Sequence, residues 1–440
     1  MRRRTFLQLA AAAPALAQST SPPAQGTKPP VQRSKRPAQS AQPPAGTPWT
    51  QWGGPHRNFQ TEATGIKEQW PAGGPKVVWK RPFADGYSSP AVENNFLYTM
   101  YGRPSEEVLV ACDALTGKTL WEHATPMTFR TDAAADMGNG PYSTPLIVGD
   151  RLFTTGVAGR LQCVDKKSGK LLWTQQLWDD HKGTRVLYGY AYGYASSPIA
   201  YGDTVIVPVG GPGKAMMAFK QADGSVAWAK NDFPNCYSSP LLINVDGLDQ
   251  LAQVMDRFVI GVNPHDGELQ WKIPFRASYG IAVSTPVWGP GNLLFVSAEY
   301  DAGAKVIQLT RKGRQTAATE LWSSNRLRLH HGNAMLIGDT LYFSSGGKGS
   351  VAILTAVDIR SGKIHWQERS IPKATFVWAD QKLITLDGDG NLMIAHPSPQ
   401  AFKVVAKAEL LTSLSWSPPT LVGTRLYIRD RRNMMAVDLG

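Results

Sequence analysis

The sequence predicts an all-β fold, an eight-bladed β-propeller closed by a clasp between its N-terminal and C-terminal strands. Three observations favour it. An eleven-residue unit ending in Trp recurs along the chain, a Ser/Thr-x-Pro signal recurs at nearly regular intervals, and the chain ends carry complementary parts of one unit. A repeat of roughly 40–50 residues is typical of four-stranded propeller blades. We therefore expect an array of one small β unit.

The recurring unit has the form Ala-x-Asp-x-x-Thr-Gly-Lys-x-x-Trp, and its copies keep the same distance from the small residue to Trp. The Gly permits the positive φ of a tight turn and a preceding Asp or Asn can bond to the turn backbone, so the unit predicts two antiparallel strands. We expect each Trp to be buried between neighbouring blades, with its N–H bonded to a backbone carbonyl. The copies are 111–121, 163–173, 218–228, 261–271 and 356–366.

The Ser/Thr-x-Pro signal precedes each blade and sets the period. Its last residue is Pro at positions 90, 145, 198, 240, 286 and 419, with degenerate equivalents at Ala334 and Phe376. The successive spacings are 55, 53, 42, 46, 48, 42 and 43 residues. Eight such starts predict eight blades.

The two ends of the repeat array indicate how the ring closes. The last copy, residues 436–440, stops before its turn, whereas residues 74–79 form a Trp strand without a preceding half. Together they make one complete blade. Pairing them would cover the strand edges that an open array exposes.

The N-terminal region is predicted to lie outside the propeller. Residues 1–17 combine basic residues, an Ala/Leu run and a small-x-small cleavage site, as in a signal peptide. Arg3-Arg4-x-Phe6-Leu7 resembles a twin-arginine export signal, and a Sec leader with several arginines is the alternative. Residues 18–48 are rich in Pro, Gln, Ala and Ser, which predicts a disordered linker. The propeller then covers residues 49–440, and we expect a periplasmic or secreted protein.

Charge and hydropathy argue against two classes of partner. The formal net charge is +12, but seven Lys or Arg residues before position 49 supply more than half of it. The propeller itself is only mildly basic, so we expect no nucleic-acid partner. No later stretch reaches about 18 apolar residues, so we expect no transmembrane segment after signal removal. We expect a monomer.

Three cysteines, Cys112, Cys163 and Cys236, are too few for a disulfide framework. Cys112 and Cys163 occupy strand positions of the repeat, which predicts small buried residues. A bridge between these two in adjacent blades is the alternative.

The repeated units resemble the tryptophan-docking repeats of the PQQ-type β-propellers, which include eight-bladed quinoprotein alcohol dehydrogenases and outer-membrane assembly factors of the BamB kind. The resemblance covers residues 70–440. It implies the fold rather than a functional site, because these repeats form the propeller blades and not the residues of a site. Residues 49–58 are similar to the opening of exported bacterial PQQ-repeat proteins, with Gly53 in place of the usual Arg. We interpret this segment as a strap packed by two Trp residues. A ligand role is the alternative.

The resemblance allows PQQ with Ca²⁺ as a cofactor without firmly implying it. Quinoprotein dehydrogenases carry an adjacent Cys-Cys disulfide and a carboxylate and amide set for Ca²⁺. This sequence has no adjacent cysteines and no Cys-x-x-Cys-His haem motif. We assign no catalytic residue and no metal ligand.

Two long connectors mark the candidate site. Residues 121–145 and 173–198 lead into the innermost strands of their blades and are about twice as long as most other connectors. Long loops on a rigid scaffold commonly carry function. The predicted ligand-binding rim takes residues from these connectors and from equivalent positions before other blades: Arg130, Asp132, Asp136, Tyr142, Asp179, His181, Arg185, Tyr194, Tyr237, Arg276, Tyr279, His330, His331 and Trp416.

Aromatic rings with a few cations suit a planar anionic ligand, a sugar or an extended peptide. We predict an exported, non-catalytic scaffold that binds a protein partner or a small anionic or sugar-like ligand at the funnel mouth. The alternative is a PQQ-dependent oxidoreductase acting on an alcohol or sugar. Tyrosines that merely seal the funnel, with Arg and Asp paired internally and no cavity between the long connectors, would contradict both hypotheses.

Overall fold

The computed structural model describes residues 46–127, 138, 140–186, 192–346 and 351–440. Within these ranges, 32 strands form eight four-stranded antiparallel sheets. The eight-bladed propeller predicted from the repeat is therefore confirmed. Among the described residues, the model contains no helix with the length and apolar character needed to span a membrane.

The strands of the first half of the propeller follow one another in short hairpins. They are β1 (Lys76–Pro82), β2 (Ala91–Glu93), β3 (Phe96–Arg103), β4 (Glu106–Asp113), β5 (Thr119–Pro126), β6 (Leu146–Val148), β7 (Arg151–Thr155), β8 (Arg160–Asp165), β9 (Leu171–Gln176), β10 (Ile199–Tyr201), β11 (Thr204–Pro208), β12 (Met216–Lys220), β13 (Val226–Lys230), β14 (Leu241–Val245), β15 (Leu248–Met255), β16 (Phe258–Val262) and β17 (Leu269–Pro274). A 3₁₀ turn at Ser278–Gly280 leads to the second half.

The second half continues the same order. Its strands are β18 (Val287–Gly289), β19 (Leu293–Ala298), β20 (Gly303–Lys312), β21 (Gln315–Ser324), β22 (Met335–Ile337), β23 (Thr340–Ser344), β24 (Leu354–Asp358), β25 (Ile364–Glu368), β26 (Ala374–Ala379), β27 (Lys382–Asp387), β28 (Asn391–Pro397), β29 (Phe402–Glu409), β30 (Thr420–Val422), β31 (Arg425–Arg429) and β32 (Asn433–Asp438). Strands β2–β5 form blade 1 and each following set of four forms the next blade. Blade 8 combines β30–β32 with β1, which confirms the predicted clasp.

The small residue of each repeat lies directly opposite its Trp. Ala111 faces Trp121 across β4 and β5, and Cys163 faces Trp173 across β8 and β9, with a β-bulge following each pair. A small side chain is needed there because the indole ring covers the strand position beside it. Blade 5 keeps the arrangement with Trp322, although its longer hairpin hides this copy from the sequence pattern.

Most docking Trp residues bond to a backbone carbonyl of the next blade, as predicted, but Trp271 Nε1 donates to Gln250 Oε1 of its own blade and Trp121 Nε1 has no partner among the described residues. Trp173 is 8% exposed, and its Nε1 donates to Gln221 O at 3.0 Å. Its ring lies over Gly224, where an added Cβ would approach the ring to 2.7 Å and φ is +76°. Trp79, Trp228, Trp322 and Trp366 donate to the next blade in the same way.

The Ser/Thr-x-Pro signal links neighbouring blades around the axis. Ser196 Oγ donates to Ser238 O at 2.7 Å, and Ser238 Oγ donates to Ser284 O at 2.9 Å. Ser417 Oγ donates to Tyr87 O at 2.9 Å across the closure between blades 8 and 1. These buried hydroxyls join consecutive blades at the same depth in the channel.

Residues 49–67, here called the strap, lie across one end of the channel and agree with the strap interpretation. Trp49 pairs with Val92 of blade 1, and Lys67 N donates to Leu439 O of blade 8. Between them the strap reaches the other six blades. It bonds there to Ile147, Pro198, Pro240, Thr285, Leu336 and Trp378.

The three cysteines are buried and unbridged. Cys112 and Cys163 sit in β4 and β8 of adjacent blades, where each fills the small position of its strand or the position beside it. The bridge considered from the sequence does not form.

Candidate functional site

A cavity of about 470 Å³ lies in the channel between the strap and the loops that enter the innermost strands. Trp52 of the strap lines the cavity, and its Nε1 donates to Thr285 Oγ1 at 2.9 Å. Trp52 is the strap residue in this lining, so the strap bounds part of the cavity.

One residue per blade occupies the position just before the Ser/Thr-x-Pro signal or its equivalent, and seven of these eight residues line the funnel. We call this set the belt. In blade order it comprises Tyr87, Tyr142, Ala195, Tyr237, Val283, His331, Lys373 and Trp416. All of these except Lys373 line the cavity. The inter-blade hydroxyl bonds keep the signals in equivalent positions, so the preceding residue repeats its place in each blade.

The rings of the belt form a continuous aromatic wall through blades 2, 1 and 8. Tyr87 lies 5.9 Å from Tyr142 and 6.1 Å from Trp416 between ring centroids, with nearly parallel planes. Trp416 in turn contacts the His331 ring at 4.1 Å. In blade 3, where the belt residue is Ala195, Tyr192 lines the cavity and its backbone N–H donates to Tyr237 OH at 3.0 Å.

The charged and imidazole side chains of the described lining come from blades 5 and 6. Glu299 follows β19, and Arg328, His330 and His331 belong to the connector before β22. Burial lowers the pKa of His330 to about 3 and the pKa of His331 well below its ordinary value, with the Lys373 charge acting in the same direction. Both imidazoles are therefore neutral near pH 7.

Three buried polar atoms of this lining have no hydrogen-bond partner within the described chain. They are His330 Nδ1, His331 Nε2 and Glu299 Oε2. A buried donor or acceptor left unpaired costs about 1–3 kcal/mol. Each such atom calls for an explanation, and contact with a bound water or ligand is one.

Lys373 supports the belt from behind. Its Nζ donates to Gly346 O at 2.9 Å and lies 5.3 Å from the centre of the Trp416 ring. Burial holds the pKa of this amine well below its ordinary value, although Glu299 opposes the shift.

Several residues of the predicted rim meet in the cavity. Tyr142, Tyr237, His330, His331 and Trp416 all line it. Tyr142 comes from the first long connector and Tyr192 from the second, so both connectors border the cavity. The described residues therefore contain a cavity that both connectors border, while part of each connector lies outside them.

Other rim candidates lie elsewhere. Tyr194 is buried inside the wall and donates to Pro208 O at 2.8 Å, because the neighbouring Ala195 takes the belt position. Arg185 pairs with Asp179 at 3.2 Å and covers Trp178, so this long connector does contain an internal ion pair. His181 bonds to Gln175 at 2.9 Å.

The remaining candidates divide into two groups. Tyr279 is 49% exposed and packs on Tyr300 beside the cavity, and neither Tyr279 nor Arg276 lines it. Arg130, Asp132 and Asp136 lie outside the described residues.

Sequence reasoning missed most of the lining residues, and the four large side chains Trp52, Glu299, Tyr300 and Arg328 are among them. They come from the strap, the end of β19 and the connector before β22, and no repeat position marks them. The belt residues, in contrast, could have been found from the sequence, because each precedes a Ser/Thr-x-Pro signal or its equivalent. Aligning the residue before each Ser/Thr-x-Pro would have selected Ala195 rather than Tyr194.

A family model described as "Outer membrane protein assembly factor BamB" matches residues 105–368, more than half of the chain. The chain belongs to this family. Membership agrees with the docking-Trp repeats, since the matched region contains most of them.

This chain is also similar in sequence to quinohemoprotein alcohol dehydrogenase ADH IIB from Pseudomonas putida. It is 26% identical over 145 residues, which cover 32% of this chain and 19% of the relative. The chain thus matches only about a fifth of the length of that enzyme.

Solved structures share the propeller at low identity. BamB from Moraxella catarrhalis is 13% identical, with a TM-score of 0.56 and coverage of 82% of this chain and 97% of that one. Quinohemoprotein alcohol dehydrogenase from Comamonas testosteroni is 11% identical, with a TM-score of 0.63 and coverage of 90% and 81%. The computationally designed Ika8 protein is 10% identical, with a TM-score of 0.54 and coverage of 83% and 100%. These likenesses show the fold alone.

The described cavity does not fit the PQQ and Ca²⁺ pair that the resemblance allowed. Ca²⁺ takes six to eight oxygen ligands. Glu299 is the single carboxylate among the described lining residues, and the described chain contains no group of three or more His, Cys, Asp or Glu able to hold a metal.

Proposed function

We propose that this protein is an exported, non-catalytic propeller that binds a ligand in the funnel between the strap and the belt. This proposal is based on the cavity of about 470 Å³, which is lined by many aromatic rings and by a smaller number of polar side chains. Ligand pockets typically measure about 300–1,000 Å³ and combine such surfaces. The predicted leader supports a periplasmic or secreted location.

The polar lining supports the binding of a ligand. A general base or nucleophile needs a hydrogen-bonded partner that orients it. Within the described residues, neither His330 nor His331 makes a side-chain hydrogen bond to a carboxylate or hydroxyl. The side chains that carry the unpaired atoms line the cavity.

A cavity-filling variant tests the proposal. Val283→Trp should occupy the funnel at the belt position of blade 5, and Val226→Trp on the outer strand β13 is the matched control, because Val226 is 44% exposed. We would screen neutral sugars, sugar acids, PQQ and short peptides by isothermal titration calorimetry. At least one class should bind the wild type and the control and fail to bind Val283→Trp. Binding that survives the filled cavity would contradict the proposal.

The oxidoreductase alternative has its own test. The protein would be refolded with PQQ and Ca²⁺, its absorption spectrum recorded and dye-coupled oxidation of ethanol and glucose measured. We expect no quinone spectrum and no dye reduction. Stoichiometric quinone uptake with alcohol-dependent dye reduction would replace the binding function with an oxidoreductase.

A further inference from the structure

The funnel has two chemically different sides. Tyr142, Tyr87 and Trp416 form the aromatic wall on blades 2, 1 and 8. Glu299 and Arg328 lie across the axis on blades 5 and 6. A ligand that fills this space meets rings on one face and hydrogen-bonding groups along the other.

The described part of the lining carries no net formal charge. Glu299 and Arg328 are the charged groups among the described lining residues, and their charges cancel. A ligand with several charges would leave some of them unpaired in a partly dry site, which is costly. The funnel therefore favours a neutral ligand.

The unpaired atoms also indicate which hydrogen-bonding groups the ligand carries. A neutral imidazole nitrogen is either a donor or an acceptor, depending on the tautomer, whereas a carboxylate oxygen only accepts. A hydroxyl can serve all of these, because it donates and accepts. Several hydroxyls on one rigid ring would match His330, His331 and Glu299 together.

We infer that the ligand is a neutral saccharide whose apolar C–H face lies against Trp416 and Tyr87 while its hydroxyls bond to Glu299, His330 and His331. This rests on the proposed binding function and adds the ligand class. Sugar rings present an apolar face and a hydroxylated edge, which correspond to the two sides of the funnel. The unpaired polar atoms are shielded in the ligand-free protein, so binding in this way requires small rotations of their side chains.

The test uses the full-length protein and an array of neutral glycans, followed by calorimetry with the strongest binder. Glucuronate-terminated versions of the same glycans and free PQQ are the anionic probes. We expect neutral glycans to bind and their uronate versions to bind at least about tenfold more weakly. Glu299→Gln and Trp416→Phe should each weaken neutral-glycan binding about tenfold or more, since each loses a main contact.

Matched controls separate the site from general destabilisation. Glu268→Gln in an exposed turn and Trp288→Phe on β18, outside the cavity, should leave glycan affinity unchanged. Melting curves for all four variants should show a single transition near the wild-type temperature. If Glu299→Gln misfolds, His330→Gln takes its place with the same expected loss.

The two proposals fail in different ways. An array without a neutral binder, or preferential binding of uronates or PQQ that Val283→Trp removes, overturns the saccharide and leaves the binding funnel standing. Neutral-glycan binding unaffected by Trp416→Phe and by Val283→Trp places the sugar outside the funnel and overturns both.

Discussion

Trp79 lies opposite Ala436 across the β1–β32 pair, so the start and the end of the propeller meet as one repeat unit. The Trp79 Nε1 also donates to Ala114 O of blade 1 at 3.0 Å. This Trp therefore closes blade 8 internally and docks it on blade 1. The ring is joined here through hydrogen bonds and packing between sequence-distant strands.

Removal of residues 427–440 should open the ring and abolish cooperative unfolding, because β32 and most of β31 are lost and β1 is left without a partner. Urea unfolding followed by far-UV circular dichroism measures this. Lys76→Ala, an exposed change on β1, is the control and should keep one sharp transition. An unchanged melting transition in the truncated protein would refute the clasp.

Trp173→Ala should lower the free energy of unfolding by roughly 3–5 kcal/mol, because it leaves a cavity between blades 2 and 3. It also removes the hydrogen bond to Gln221 O. Leu172→Ala, one residue earlier and 44% exposed, should cost less than about 1 kcal/mol. Chemical denaturation of both variants provides the comparison. A loss below about 1 kcal/mol for Trp173→Ala would count against the docking account.

Arg57→Met should loosen the strap and cost at least about 2 kcal/mol, since it leaves buried carbonyls unpaired. The Arg57 guanidinium is buried and donates to Ser197 O, Pro198 O and Pro240 O at 2.9, 3.0 and 2.7 Å. Limited proteolysis should then cut within residues 49–67 faster than in the wild type. His56→Gln, next to it but exposed, should show neither effect.

Glu107 should make the protein less stable as the pH rises from about 4.5 to about 7. Burial raises the pKa of this carboxyl from 4.5 to about 7, against the opposing effects of the Val157 N–H bond and Arg160. The folded state then holds a proton that the unfolded state has lost, so stability falls as the pH increases through this window.

The measurement for Glu107 is the melting temperature of wild type and Glu107→Gln between pH 4 and 8. Gln retains an acceptor for Val157 N, which bonds to Glu107 at 2.8 Å. The difference between the two proteins should move in favour of Glu107→Gln with rising pH and level off above about pH 7. Parallel curves at all pH values would show that the carboxyl titrates normally.

The sequence by itself determined the blade count, the clasp and the docking Trp residues. These features depend on local register, and a repeat displays the same register many times. Cys163 opposite Trp173 needs only a hairpin of fixed length, which the ten-position spacing already encodes. The strap was also legible from its two Trp residues.

Only the tertiary structure decided which side chains share the funnel. Successive side chains of an extended segment point to opposite sides, so a shift of one residue moves a side chain from the channel into the wall. Ala195 therefore faces the cavity, and Tyr194 is buried behind it. Glu299 and Trp52 reach the same cavity from a hairpin of blade 5 and from the strap. Their meeting depends on how eight blades close around one axis. The spacing of the repeats does not predict that meeting. It describes the strand register within one blade and not the side chains that other blades place across the channel.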